Sequence, residues 1–171
     1  MDQKSLLSKV FSFPNPVNEV ASRFTAGVVA ILGLISLITG FNWIILVMAF
    51  GFIARVLSGP SLSPLAMFAV KVFAKFAPFK PKYSPGPPKR FAQGIGAFVT
   101  ILAAIFSFGF GINIVSQVLI SVLVVFASLE SGFGLCVGCK MFALLMKLHV
   151  IPESVCVECA DLTKRYPVLA Q

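Results

Sequence analysis

Charged residues are missing from two long stretches of this sequence. No Asp, Glu, Lys or Arg occurs between Arg23 and Arg55, or from Phe91 to Leu129. Only 12% of the 171 residues are charged, 58% are apolar and the mean hydropathy is +0.96, whereas soluble domains are roughly 25% charged. The composition therefore excludes an ordinary water-soluble domain and predicts an integral membrane protein whose main partner is a lipid bilayer.

Residues that catalyse hydrolysis are also scarce. The chain has one His, and Asp and Glu together number six. No Ser-His-Asp arrangement, phosphate-binding glycine loop or pair of intramembrane carboxylates can be assembled from them. The composition therefore argues against a hydrolytic enzyme, although it leaves open whether the protein is an enzyme of another kind.

The net charge of +8 invites comparison with nucleic-acid-binding proteins, but the positions of the basic residues argue against that class. The fourteen Lys and Arg lie within 4–23, 55–90 and 140–165, outside both uncharged stretches. Because Lys and Arg are retained on the cytoplasmic side of membrane helices, we expect both termini and the central connection to be cytoplasmic. Anionic lipid headgroups, not nucleic acid, are the partner that this distribution predicts.

Each uncharged stretch is too long for a single membrane helix. The 31 residues between Arg23 and Arg55 would form a helix of about 46 Å, against a hydrocarbon core of about 30 Å. Glycine and asparagine near positions 40–42 and 109–113 favour tight turns at which the two stretches divide. We therefore predict an all-α polytopic membrane protein with four transmembrane helices in two hairpins, at about residues 17–39, 43–57, 90–108 and 114–131.

The remaining segments complete a single membrane domain over residues 1–171. The central connection is predicted to form a cytoplasmic interfacial helix at about 64–77 and then a proline-rich extended linker that ends near Pro88. The two hairpins also begin alike, with Arg-Phe-Thr-Ala-Gly from Arg23 and Arg-Phe-Ala-Gln-Gly from Arg90. This similarity suggests an internal repeat, although chance matching of apolar sequences is an equal alternative.

The C-terminal segment 135–171 contains all four cysteines, as two C-x2-C pairs. Cys136 and Cys139 are separated by 16 residues from Cys156 and Cys159, a spacing typical of four-thiolate zinc sites. One hypothesis is therefore a metal site with zinc as the candidate ion and all four cysteines as ligands. The sequence does not determine the metal or any other cofactor.

A second hypothesis assigns thiol redox or sulfur chemistry to these cysteines. On the cytoplasmic side thiols are kept reduced, so a persistent structural disulfide is not expected. In this hypothesis Cys136 and Cys139 are the catalytic pair, Cys156 and Cys159 relay electrons, and the nearby Lys140 favours the thiolate form. A third alternative is that the thiols only pack within a structural or transport component.

Glu130 is an acidic residue at the end of a predicted membrane segment. It lies six residues before Cys136, at the inner end of the fourth helix. An ionisable group at such a position is a functional candidate, although a carboxylate at the interface can also face water. Arg55 ends the second helix on the same side and is the partner that the sequence suggests.

Several motifs in the same order resemble a bacterial membrane family known as domain of unknown function 4395. The likeness covers about residues 13–146 and is carried by four segments: Phe-Pro-Asn-Pro-Val-Asn-Glu at 13–19, Gly-Phe-Ile-Ala-Arg at 51–55, Gly-Pro-Pro-Lys-Arg-Phe-Ala-Gln at 86–93 and Cys-Val-Gly-Cys at 136–139. The resemblance implies a small multi-helix protein of the bacterial inner membrane. It also implies thiol or sulfur chemistry with a thioredoxin-like or rhodanese-like partner protein.

Overall fold

A computed structural model describes residues 17–58 and 83–150, together with residues 155, 156 and 159. The described part is mainly helical, with one short antiparallel pairing between the two-residue strands β1 (Val17–Asn18) and β2 (Tyr83–Ser84). The prediction of an all-α chain is thereby confirmed. The helices are α1 (Glu19–Thr39), α2 (Trp43–Ser58), α3 (Gly86–Ala104), α4 (Asn113–Phe133) and α5 (Val137–Lys147), and a π-helical turn, Ile105–Gly109, continues α3.

Three of these helices are long and apolar enough to cross a membrane. They are α1 and α4, with 21 residues each, and α3 with its π-helical turn, with 24 residues. Helix α2 has 16 residues and an expected length of about 24 Å, slightly short of a hydrocarbon core of about 30 Å. The predicted interfacial helix at 64–77 and most of the proline-rich linker lie outside the described residues.

Two of the predicted helix starts differ by two residues or more from those in the structure. Helix α1 begins at Glu19 because Oδ1 of Asn18 accepts hydrogen bonds from the backbone N–H groups of Val20 (2.9 Å) and Ala21 (3.4 Å). Helix α3 begins at Gly86, four residues before the predicted start, with prolines in its first turn. A proline there is tolerated because an N–H group in the first turn has no partner within the helix.

The described helices pack mainly across the two hairpins. Helix α1 makes its most extensive contacts with α4, and α2 makes its most extensive contacts with α3, whereas contacts between α1 and α2 are fewer. Small residues allow these close approaches: a Cβ atom at Gly33 of α1 would overlap Val124 of α4, and one at Gly96 of α3 would overlap the ring of Phe52 in α2. The hairpins therefore form one interlocked bundle with a shared apolar core.

The two hairpins make corresponding contacts with each other. Arg23, near the start of the first hairpin, donates to carbonyl groups at the end of α4. Arg90, near the start of the second, donates through Nε to the carbonyl of Val56 near the end of α2 (3.0 Å). Each hairpin thus has an arginine near its start that binds the end of the second helix of the other hairpin. Matching turn residues also meet, since Nδ2 of Asn42 donates to Oδ1 of Asn113 (3.2 Å).

Candidate functional site

One end of the bundle gathers ionisable side chains from four helices. We call this region the charged end and define it by residues near the starts of α1 and α3 and the ends of α2 and α4: Ser22, Arg23, Arg55, Lys89, Arg90 and Glu130. The chain leaves α4 at this end and enters α5, which carries the first cysteine pair. The candidate site therefore comprises the charged end and the Cys136–Cys139 pair beside it.

Glu130 is held in a partly buried polar cluster. Its Oε1 atom accepts a charge-assisted hydrogen bond from Nζ of Lys89 (2.8 Å) and a second hydrogen bond from Oγ of Ser22 (2.9 Å). Lys89 also donates to Oγ of Ser22 at 2.8 Å. The Lys89 side chain is 7% exposed and that of Glu130 20% exposed. Removing either partner would leave an uncompensated charge in a weakly hydrated place.

The direct ion-pair partner of Glu130 among the described residues is Lys89. Arg55, the partner that the sequence suggests, lies close enough to Glu130 for Coulombic attraction but forms no ion pair with it in this part of the chain. Arg55 is buried, at 7% exposure. Its Nε donates to the carbonyl of Gly51 (2.9 Å), and its guanidinium carbon lies 4.4 Å from the centre of the Phe52 ring. A guanidinium stacked on an aromatic ring gains cation–π attraction while keeping a hydrogen bond to its own helix.

Sequence reasoning missed Lys89 and Ser22. The predicted helix begins at about residue 90, which leaves Lys89 outside it at the end of the linker, whereas the structure places Lys89 in the first turn of α3. The adjacent prolines at 87 and 88 were the available signal, because proline is favoured in the first turn of a helix. A helix start at Gly86 brings the Lys89 ammonium group into the bundle, where it meets α1 and α4.

The end of α4 is fixed by a glycine and an arginine. Gly134 adopts a left-handed conformation (φ 69°), and its N–H donates to the carbonyl of Glu130 (3.0 Å), as is usual for a helix C-terminus. Arg23 donates from Nη2 to the carbonyl oxygens of Ser131 (3.1 Å) and Gly132 (2.7 Å). A cation at these carbonyls complements the negative end of the helix dipole. The chain therefore leaves the charged end in a defined direction toward Cys136.

Cys136 caps the N-terminus of α5. Its Sγ atom accepts a hydrogen bond from the backbone N–H of Cys139 at 3.3 Å, and both residues are partly buried. The two sulfur atoms are paired as a disulfide, with the Cα atoms 5.2 Å apart. After reduction, a sulfur at a helix N-terminus is favoured as the thiolate by the helix dipole and by the N–H donor. The geometry therefore distinguishes Cys136 from Cys139, whereas the sequence predicts only that the two act as a pair.

Helix α5 is held against α3 by a close backbone contact and an aromatic pair. A Cβ atom at Gly138 would lie 2.5 Å from Cβ of Ala92, so only glycine fits there without a shift of the helix. Phe142, one turn later, is 4% exposed and its ring centre lies 5.5 Å from that of Phe91. The glycine between the two cysteines thus positions the pair beside the charged end.

The second cysteine pair is also joined as a disulfide. Cys156 and Cys159 have Cα atoms 5.3 Å apart; Cys156 is buried and Cys159 is exposed. Within the described ranges, no group of three or more His, Cys, Asp or Glu side chains is placed to hold a metal ion. The four-cysteine zinc site therefore stays a prediction, and the expectation of free cytoplasmic thiols differs from the pairing in this structure.

The opposite end of the bundle is polar but uncharged. We define it by Asn42, Ser107 and Asn113. Ser107 lies in the π-helical turn that continues α3, and its Oγ donates to Oδ1 of Asn113 at 3.2 Å. The same oxygen accepts from the amide of Asn42. This amide and hydroxyl cluster joins the two hairpin turns and carries no formal charge.

The apolar helices and the polar groups at their ends define the chain as a helical protein of the multi-pass membrane class. The family model described as Domain of unknown function (DUF4395) matches residues 17–147, and the chain belongs to this family. The matched region contains Cys136 and Cys139 and ends before Cys156. No curated protein and no solved structure matches the chain.

Proposed function

We propose that this protein is a thiol redox protein of the bacterial inner membrane, in which Cys136 and Cys139 form a reversible dithiol on the cytoplasmic side. The observation that carries the proposal is the hydrogen bond from the N–H of Cys139 to Sγ of Cys136 at the first turn of α5. It gives the two cysteines different environments, with Cys136 as the attacking residue and Cys139 as the resolving residue.

The proposed reaction transfers two electrons from the dithiol to a protein disulfide. The Cys136 thiolate attacks one sulfur of the substrate disulfide, which forms a mixed disulfide and releases one substrate thiolate. The Cys139 thiolate then attacks Sγ of Cys136, closes the Cys136–Cys139 disulfide and releases the second substrate thiolate. A thioredoxin-like dithiol, or the Cys156–Cys159 pair acting as a relay, reduces the disulfide again by the same exchange.

Sulfur handling is a variant of the same proposal. A rhodanese-like donor would carry a persulfide, and the Cys136 thiolate would take its terminal sulfur and release the donor thiolate. This step changes no net oxidation state, because the sulfur moves together with its bond from one thiolate to another. It requires the same reactive thiol, so the Cys136 environment supports both variants.

The cytoplasmic location follows from the distribution of positive charge. The charged end contains basic residues from both hairpins, whereas the two turns at the opposite end carry no Lys or Arg. A membrane-impermeant maleimide added to intact cells should therefore leave reduced Cys136 unlabelled and should label it after the membrane is opened. Labelling in intact cells would overturn the orientation.

A trapping experiment tests the thiol reaction. The reduced full-length protein, in mild detergent without oxygen, is mixed with a thioredoxin-like protein that keeps one active-site cysteine, capped as a mixed disulfide with thionitrobenzoate, so that attack by Cys136 releases thionitrobenzoate and leaves no second partner thiol to reverse the step. A Cys139→Ser variant should accumulate a mixed disulfide through Cys136, because the resolving thiol is missing. A Cys136→Ser variant should trap none, and Cys156→Ser serves as the matched control that leaves this step intact.

Absence of the mixed disulfide in Cys139→Ser would contradict the disulfide-exchange reaction. The same preparations should then be treated with a persulfide donor, because one added sulfur atom on Cys136, seen by mass spectrometry, would support the sulfur-transfer variant. Bound zinc at about one ion per chain, lost in both Cys136→Ser and Cys156→Ser, would overturn both variants in favour of the zinc site.

A further inference from the structure

Helix α5 is too short to cross a membrane and presents apolar side chains outward. Its 11 residues have an expected length of about 16 Å, half of a hydrocarbon core. Met141, Leu144 and Leu148 are 44%, 56% and 61% exposed. With 3.6 residues per turn these three side chains fall within an arc of about 60° on one side of the helix.

Two lysines border this apolar arc. Lys140 and Lys147 are both exposed, and their spacing of seven residues places them on nearly the same line of the helix surface. The side that packs on α3 is a different one, occupied by Gly138 and Phe142. Helix α5 thus has a docked side, an apolar exposed side and a basic border.

We infer that α5 lies in the plane of the membrane surface, with Met141, Leu144 and Leu148 against the acyl chains and with Lys140 and Lys147 among anionic headgroups. An apolar face bordered by lysines is typical of helices that lie at the lipid interface, and lysine at this depth is attracted to anionic lipids. The lipid-facing surface of the bundle also adjoins α5, because α5 packs on α3 and Phe98 of α3 is 66% exposed.

The orientation of α5 bears on which substrates reach the dithiol. Cys139 lies on the side of α5 opposite the apolar arc, by the same count of residues per turn. With α5 in the lipid interface, the sulfur pair faces away from the acyl chains and toward the charged end. A substrate therefore approaches from water, as a protein disulfide or a soluble persulfide would, and not from within the bilayer. This consequence rests on the proposed thiol function, whereas the lipid contact does not.

Fluorescence quenching tests the lipid contact in the full-length protein. The single tryptophan, Trp43, is first removed by Trp43→Phe. In that variant a new tryptophan is introduced by Leu144→Trp, or by Ala143→Trp as the matched control. Residue 143 is exposed but lies outside the apolar arc. Both variants are reconstituted in vesicles of phosphatidylethanolamine and phosphatidylglycerol whose acyl chains carry bromine near the glycerol end.

The inference predicts that bromine quenches Leu144→Trp about threefold more than Ala143→Trp, and that aqueous iodide shows the reverse order. Met141→Trp should behave as Leu144→Trp does, which guards against a local disturbance at one position. Equal iodide quenching at 143 and 144 would place the arc in water and overturn the inference. Protection of Leu144→Trp from both quenchers would also overturn it, because a second copy or another protein would then cover the arc.

The basic border is tested in the same vesicles. Lys140→Gln combined with Lys147→Gln should reduce bromine quenching of Leu144→Trp in phosphatidylglycerol vesicles and leave it unchanged in phosphatidylcholine vesicles. An equal change in both lipids would contradict the proposed role of anionic headgroups. The readout is independent of thiol chemistry, so it remains informative whatever the trapping experiment shows.

Discussion

The two ends of the bundle join the same helices by different polar chemistry. At the charged end, Lys89 and Glu130 form an ion pair and Arg23 binds free carbonyl groups. At the opposite end, Asn42 and Asn113 meet through their amide groups. The difference agrees with the orientation proposed above, in which the formal charges stay on the cytoplasmic side and the turns that cross to the other side carry none.

The comparison also separates structural polar groups from reactive ones. The opposite end contains only amides and hydroxyls, which bind helices together without offering a nucleophile. The charged end adjoins Cys136, whose sulfur accepts a backbone N–H at a helix start. We therefore propose that the chemistry of the protein takes place at the charged end. Substitutions at each end should then have different effects.

The largest effect is expected at the ion pair of the charged end. Glu130→Gln leaves the Lys89 ammonium group without its charged partner, which should lower the free energy of unfolding by about 3 kcal/mol. The measurement is equilibrium unfolding in mixed detergent micelles. Lys89→Met should cost a similar amount.

The double variant Glu130→Gln/Lys89→Met serves as the control for that pair. It should be more stable than the sum of the two single changes predicts, because it leaves no unpaired charge. Additive losses would show that the 2.8 Å contact between Lys89 and Glu130 does not contribute as a pair.

A smaller effect is expected where α2 and α3 pack against each other, between the two ends of the bundle. Gly96→Ala places a methyl group against the ring of Phe52, and it should lower the free energy of unfolding by about 2 kcal/mol through overpacking. Gly94→Ala, in the same helix, meets no atom within 4 Å and should instead stabilise by about 0.5 kcal/mol. Similar losses in both variants, measured by the same unfolding titration, would contradict the close approach of α2 and α3.

The arginine that caps α4 is expected to have an intermediate effect. Arg23→Gln removes hydrogen bonds to the carbonyl groups of Ser131 and Gly132, and it should lower the free energy of unfolding by about 1.5 kcal/mol. Arg23→Lys keeps the positive charge and should recover part of this loss. Detergent unfolding of the two variants side by side provides the test. No loss in Arg23→Gln would count against the cap that Arg23 places on α4.

The smallest effect is expected at the opposite end. Asn42→Ala removes one interhelical amide hydrogen bond to Asn113, and such bonds contribute about 0.6 kcal/mol in membrane proteins. The unfolding titration should therefore show a small loss, and the reaction of Cys136 with a thiol reagent should keep its rate. A slower reaction of Cys136 would show that the two ends are coupled.

The sequence predicts the helices well because their signal is local. An uncharged stretch that is longer than one membrane crossing must form two helices joined by a turn. The glycine and asparagine residues in the stretch indicate the position of that turn. The helix formed by residues 19–39 differs from its prediction by two residues at the start. Helix α3 differs by four, because a proline-rich segment suits both an extended linker and the first turn of a helix.

The polar contacts could not be predicted in the same way, because they join residues far apart in the chain. Lys89 and Glu130 are 41 positions apart, and their meeting depends on how α3 packs against α4. That Lys89 and not Arg55 makes the direct ion pair with Glu130 could not be predicted, because hydropathy gives the depth of a residue in the membrane and not the direction it faces. The spacing of Cys136 and Cys139 was visible, but the need for glycine at 138 depends on Ala92 of α3.

The central claim is that Cys136 and Cys139 form a reversible dithiol beside the charged end. The most direct measurement is a redox titration of the Cys156→Ser/Cys159→Ser protein in glutathione buffers, with the thiols alkylated and counted by mass spectrometry. The account predicts one reversible two-electron transition in which both thiols appear and disappear together. Thiols that oxidise singly, or that oxidise and do not return to the reduced form, would contradict it.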